Sequence, residues 1–253
     1  MNGGKELRGC GLNTNKTSLA EVFKTVGLPH YTYIKPTHYG EVRADIEQPG
    51  KHLLIEGPSG IGKTCVVYKV FEELLWDAPT NYAYVSCRDD NAEVTIDEFF
   101  NAASNGNKPQ SPLIVIDDFH LLSTTRRAEL GAKLKRLSDR TFEQAQPPKA
   151  ILIGIPTAGT SLLTDAYDLG PRIGSYRLAR AKDSEIDRVI SEGETALNIL
   201  FEDREILLGE SAGNFWLAQY ICNKVCATQE IYEKQTDIKI FVHRHIHCSF
   251  LLA

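Results

Sequence analysis

Gly57-Pro58-Ser59-Gly60-Ile61-Gly62-Lys63-Thr64 is the stretch on which the fold turns. It follows the apolar run Leu53-Leu54-Ile55 and precedes a segment from Gly62 to about Trp76 in which Val66, Val67, Val70, Phe71, Leu74 and Leu75 recur at helical spacing. A glycine-rich turn between a strand and a helix presents successive backbone N–H groups at a helix amino terminus, where the peptide dipoles also favour negative charge. Glycines let an anion approach the backbone closely, Lys63 adds a point charge, and Cys65 offers the next amide. The Thr64 hydroxyl is of the kind that joins the shell of Mg²⁺, a cation that keeps most of its waters. The full spacing GxxxxGK[ST], in this strand-to-helix context, points to a bound polyphosphate rather than to a structural turn.

Outward from that turn the pattern alternates strand and helix. A strand is expected over Tyr82–Cys87, and Thr95 followed by Glu98 has the capping-box form of a helix start. Strands are expected again over Leu113–Ile116, Ala150–Ile155 and Ile173–Leu178, with helices over about Thr124–Thr141 and Leu162–Tyr167 between them. The nearly unbroken apolar run at Ala150–Ile155 suits a strand buried on both faces, and strand–helix alternation implies a parallel sheet. Past Arg180 helical stripes take over, first Ile186, Val189, Ile190 and Leu197, then Leu217, Tyr220, Ile221 and Val225. The expected organisation is an N-terminal linker over 1–45, an α/β core over 46–180, a helical lid over 181–228 and a tail over 229–253. The tail is expected to hold a helix and a strand, and its apolar ending suggests a chain that continues.

Leu113-Ile114-Val115-Ile116 runs into Asp117-Asp118. In open α/β sheets ligands lie at the carboxyl ends of the strands, so Asp117 is placed to steer a magnesium ion and Asp118 to polarise an attacking water. An apolar strand ending in carboxylates is the Walker B pattern. An aspartate is one methylene shorter than a glutamate, which holds water less well and fits slow hydrolysis.

Together the two motifs resemble the AAA+ and STAND branch of P-loop ATPases, especially clamp-loader, origin-recognition and transposition-regulator ATPases, over about residues 50 to 226. The resemblance implies a three-layer αβα sandwich with a parallel sheet of order 5-1-4-3-2, a small C-terminal helical lid, ATP and Mg²⁺ as ligands, and nucleotide at a subunit junction. It implies a γ-phosphate sensor at Thr157, which a helix N-cap explains equally well. It also implies a finger at Arg172 acting on a neighbour's nucleotide, a role a rigid guanidinium fork suits, although a lone arginine after Gly170-Pro171 is as often a surface residue. Where such proteins carry an arginine at the start of the last lid helix, this chain has Gly213-Asn214-Phe215-Trp216, leaving Asn214 to hydrogen-bond and suggesting a switch rather than a fast motor.

The bulk composition sets limits. With 42% hydrophobic and 24% charged residues the 253-residue chain is neither disordered nor a disulfide-built miniature. A formal net charge of −5 leaves no general attraction for nucleic acid or an anionic membrane, so such binding must be local. Six cysteines without a CxxC pair fit a reducing cytoplasm. Between His120 and Arg140 six basic residues (Arg126, Arg127, Lys133, Lys135, Arg136, Arg140) face two acidic ones, a net of +4, whereas Ala181–Glu210 carries a net of −6. Opposite patches suggest a head-to-tail homo-oligomer, with DNA at the basic helix as the rival, and a protein partner is expected as well. His243, His245, His247 and Cys248 fit a polar strand face better than zinc. A GTPase is disfavoured because Asn223-Lys224-Val225-Cys226 fails the NKxD base reader at its last position, and an ABC-type ATPase because LSGGQ is missing. A nucleotide-dependent interaction module that does not hydrolyse ATP remains the alternative.

Overall fold

The computed structural model describes residues 16–104, 109–139, 147–156 and 172–241. Five parallel strands, β1 (His52–Glu56), β2 (Tyr82–Ser86), β3 (Leu113–Asp117), β4 (Lys149–Gly154) and β5 (Ile173–Arg177), form one sheet in the order β2-β3-β4-β1-β5. This is the 5-1-4-3-2 order expected, read from the other edge. The central strands β1, β3 and β4 are buried at every position, which is why their sequences run apolar without alternation.

Helices α2 (Tyr39–Glu47) and α3 (Lys63–Glu73) pack on one face, where Val42, Ile46, Val67 and Phe71 meet Leu53, Ile55 and Ile151. Helices α4 (Ala92–Ser104) and α5 (Thr124–Asp139) cover the other, joining Phe100 and Leu134 to Leu54, Ile114 and Leu152. The result is the αβα sandwich. Helix α4 begins before the expected cap: Thr95 N–H already donates to Asn91 O at 3.0 Å, so Thr95 lies inside the first turn and its hydroxyl bonds back to the same carbonyl.

Beyond β5 come α6 (Asp183–Leu197), α7 (Arg204–Ser211) and α8 (Phe215–Thr228). The lid is not purely helical. Strands β6 (Ile199–Phe201) and β7 (Lys239–Phe241) pair in parallel as a second, two-stranded sheet. Among the described tail residues β7 is the only strand, and the expected tail helix is not found.

Residues 16–45, expected as a linker, are instead built into both bodies. A Ser18/Glu21 capping box starts the short helix α1 (Leu19–Val22), and Leu19, Val22, Phe23 and Ile34 belong to the lid's apolar cluster. Leu19 N–H donates to Tyr232 O at 2.8 Å, and Lys234 N–H to Thr17 O at 2.9 Å. The strap over residues 23–38 then crosses to α2 on the core sheet. Gly193 makes room for it, since a Cβ there would meet the Phe23 ring at 2.0 Å. No described helix is long and apolar enough to cross a membrane.

Candidate nucleotide site

The glycine-rich turn ends β1 and starts α3. Gly60 and Gly62 have φ of 78° and 85°, the left-handed region that side chains with a Cβ avoid. Gly57 has a different reason: a Cβ would meet Ile61 Cδ1 at 2.4 Å and the backbone oxygen of Leu178 at 2.5 Å, where the turn is pressed against the chain leaving β5.

Lys63 Nζ donates to the carbonyls of Gly57 (2.9 Å) and Pro58 (2.8 Å). Burial pushes its ammonium below the ordinary lysine range, while the Asp117 and Asp118 carboxylates oppose that shift. The α3 amino end and the β3 carboxyl end meet through side chains: Thr64 Oγ1 donates to Asp117 Oδ2 at 2.8 Å, across 53 positions of sequence. Tyr84 Oη, from β2, donates to the same carboxylate oxygen at 3.1 Å. A hydroxyl and a carboxylate oxygen side by side are the donors that magnesium takes, so these two residues fit the ion.

Asp118 follows at φ 54°, a left-handed conformation that turns its side chain out of the strand direction. Arg88 Nε donates to Asp118 Oδ2 at 2.5 Å, and His120 Nδ1 lies 4.0 Å from Oδ1. Burial and the two aspartates raise the thiol of neighbouring Cys87 to about 12, keeping it protonated.

A cavity of about 630 Å³ joins these groups to the strap and lid. Ser59 to Val66, Arg88, Asp117 and Asp118 line one part, Lys24 to Pro36 of the strap another, and Asn214, Phe215, Trp216 and Gln219 of the lid the rest. Asn214 does what its position in the sequence allowed. Its Nδ2 donates to Ser59 O at 3.1 Å, and its Oδ1 caps α8 by accepting from Leu217 N–H at 3.0 Å. Trp216 N–H donates to Gly60 O at 3.0 Å, so the lid is fastened directly to the phosphate turn. Trp216 is 42% exposed and stacked on Tyr220 beside the cavity.

The other expected residues lie elsewhere. Arg172 sits at the amino end of β5, away from the cavity, and pairs with Asp139 of its own chain. Thr157, the short helix around Leu162–Tyr167, and His243, His245, His247 and Cys248 lie outside the described residues. Two of the six basic residues of the expected +4 patch are paired internally: Arg126 with Glu93 (3.1 Å), Asp97 (2.9 Å) and Glu129 (2.5 Å), and Lys133 with Asp97.

Sequence reasoning missed Arg88, Tyr84, Gln219 and the strap. Arg88 had a usable signal, since it is the second residue past β2 and strand ends converge at this edge of a parallel sheet. Gln219 is a buried polar amide within the apolar stripe of α8.

The fold and the site together define a P-loop NTPase. The sequence profile of the AAA domain family matches residues 49–154, from the turn before β1 to the end of β4. Residues 49–154 are therefore similar to the AAA domain of P-loop NTPases. Its fold is similar to that of RuvB from Thermotoga maritima, with 16% identity over 83% of this chain and 70% of that one and a TM-score of 0.55. Domain III of the Thermotoga maritima replication initiation protein DnaA is similar at 13% identity, over 83% of this chain and 89% of that one, with a TM-score of 0.52. Cdc6p from Pyrobaculum aerophilum gives 14% identity, 83% and 66% coverage, and a TM-score of 0.57. No curated protein matches the chain in sequence.

Proposed function

We propose that the protein is an ATP-binding, slowly hydrolysing molecular switch that signals through its lid to a neighbouring subunit or protein partner. The observation that carries this is the 2.8 Å contact of Thr64 with Asp117 inside a cavity whose roof is the lid. Triphosphate oxygens accept from the amides of Gly60 to Cys65, and Lys63 exchanges its two carbonyl partners for β and γ oxygens. Thr64 and Asp117 would hold Mg²⁺, which would neutralise phosphate charge as the γ phosphoryl leaves. Asp118 orients a water for in-line attack on the γ phosphorus.

Two features favour slow turnover. Asp118 is short for its task, and Arg88 engages it, so water activation requires that ion pair to open. Fastening of Asn214 and Trp216 to the carbonyls of Ser59 and Gly60 gives the signal a route, because a phosphate-dependent shift of the turn moves the lid. A second subunit's Arg172, released from Asp139, would complete the site in a head-to-tail assembly. The relatives' fold leaves DNA as an alternative partner, but the internal pairing of Arg126 and Lys133 weakens α5 as its contact.

Phosphate release measured alongside sedimentation in ATP, ADP and no nucleotide tests the proposal. ATP-dependent change in sedimentation with slow phosphate release is expected. Assembly on ATP without any release would instead favour the non-hydrolysing module, for which the Arg88–Asp118 pair is the supporting observation.

A further inference from the structure

One face of α8 holds the strap by three side chains at helical spacing. Trp216 Nε1 donates to Thr25 O at 2.9 Å, Asn223 Nδ2 to Phe23 O at 3.0 Å, and Gln219, between them, bonds to Thr32. The last contact has a fixed polarity. Thr32 is buried, and its Oγ1 donates its single proton to Val22 O at 3.0 Å. That oxygen can then only accept, so the carboxamide of Gln219 must offer its NH₂ group, which lies at 2.5 Å. An amide flip is thereby forbidden, and Gln219 Oε1 is left as an acceptor facing away from Thr32.

Gln219 is 4% exposed and lines the cavity, yet its Oε1 has no partner among the described residues. A buried carbonyl oxygen without a donor is costly, and native sites that carry one supply the donor from a ligand or an ordered water. The cavity also has apolar lining, in Ile34, Ile61 and Phe215, against which a ring could pack. We propose that Gln219 is the base-selecting residue of this site, accepting through Oε1 from the exocyclic amino group of adenine, with Thr32 as its positioning residue. Guanine carries a carbonyl oxygen at the equivalent ring position, and two acceptors would then face each other. The inference rests on the ATP-binding proposal above and adds which atoms distinguish the base.

The test is displacement of a fluorescent ADP analogue by ATP, by GTP, by purine riboside triphosphate and by inorganic tripolyphosphate, all with Mg²⁺. Purine riboside triphosphate carries hydrogen where adenine has its amino group. Wild-type protein should prefer ATP to it by about tenfold, the usual discrimination when a buried polar group loses its partner. Gln219→Met keeps the volume but lacks the acceptor, and should bind the two equally. Thr32→Val frees the amide to rotate and should narrow the ATP/GTP ratio, whereas Thr32→Ser keeps the hydroxyl and should keep the ratio. Equal binding of ATP and purine riboside triphosphate by the wild type overturns base selection without any variant needing to fold, as does an unchanged ratio in Gln219→Met, which would assign Oε1 to a water. Displacement by tripolyphosphate as strong as by ATP sinks base selection alone. Failure of every triphosphate to bind sinks the ATP-binding proposal itself.

Discussion

Replacing Gly60 by alanine puts a methyl group where backbone and neighbour both resist it. Gly60 has φ of 78°, and a Cβ built there meets Asn214 Oδ1 at 2.4 Å, Nδ2 at 2.6 Å and Cγ at 2.8 Å. The left-handed conformation costs a residue with a Cβ about 1–2 kcal/mol. Displacing Asn214 removes the α8 cap, worth about 1 kcal/mol. Gly60→Ala should therefore lose about 2–3 kcal/mol of stability. Asn214→Ala alone should lose about 1–2 kcal/mol, for the cap and the bond to Ser59. Alanine at position 214 also clears the space, so the double variant should lose less than the sum of the two. Gly209→Ala is the control, because a Cβ there meets nothing within 4 Å in helix α7. It should gain about 0.5–1 kcal/mol. Urea unfolding in a Trp76→Phe background, followed by circular dichroism and by Trp216 emission, separates global loss from release of the lid. Trp216 reports the lid–strap junction through its stacking on Tyr220 and its bond to Thr25. Strict additivity of the two variants, or a Gly60→Ala protein as stable as the control, refutes the packing argument.

Arg88→Ala should raise ATP turnover by up to about fivefold, the ceiling set by an exposed ion pair worth about 1 kcal/mol at most; a fall in phosphate release would show that Arg88 assists rather than restrains. Arg126→Glu should destabilise the fold by about 1–2 kcal/mol, since it sets a fourth carboxylate among Glu93, Asp97 and Glu129. Arg136→Glu should leave melting unchanged and alter ATP-dependent sedimentation if α5 meets an acidic neighbour, and identical sedimentation removes α5 from the interface. Burial lowers His52 from about 6.5 to about 4, with Nδ1 accepting from Ala150 N–H and Nε2–H donating to Leu134 O. The folded protein therefore refuses a proton that the unfolded chain takes up. Its contribution to stability is complete above pH 6.5 and is lost as pH falls toward 4, at most about 3 kcal/mol. Urea midpoints between those pH values should show this slope in wild type and not in His52→Gln.

Local chemistry explains what could be read from the sequence. The sheet was legible because strands buried on both faces write an unbroken apolar run, as in Leu113–Ile116, and because GxxxxGK[ST] encodes its own strand-to-helix setting. The strap was not legible. Phe23, Thr32 and Ile34 show no period, and their burial depends on Gly193 and α8, roughly 170 to 200 residues away, which no local pattern records. Strand β6 escaped for the same reason: its three residues are too short for alternation, and its partner β7 is distant. The charge count on α5 could not show that Asp97 and Glu93 lie one helix away and within reach of Arg126. Arg88 and Gln219 gain significance only from the geometry of Asp118 and Thr32, respectively.

The most direct measurement is calorimetric titration of the purified protein with Mg·ATP, run beside Lys63→Ala. Saturable heat with one site per chain in the wild type, absent from the variant, is the result expected of a phosphate turn built around Lys63, Thr64 and Asp117. No heat in the wild type, or indistinguishable curves for the two proteins, would contradict it.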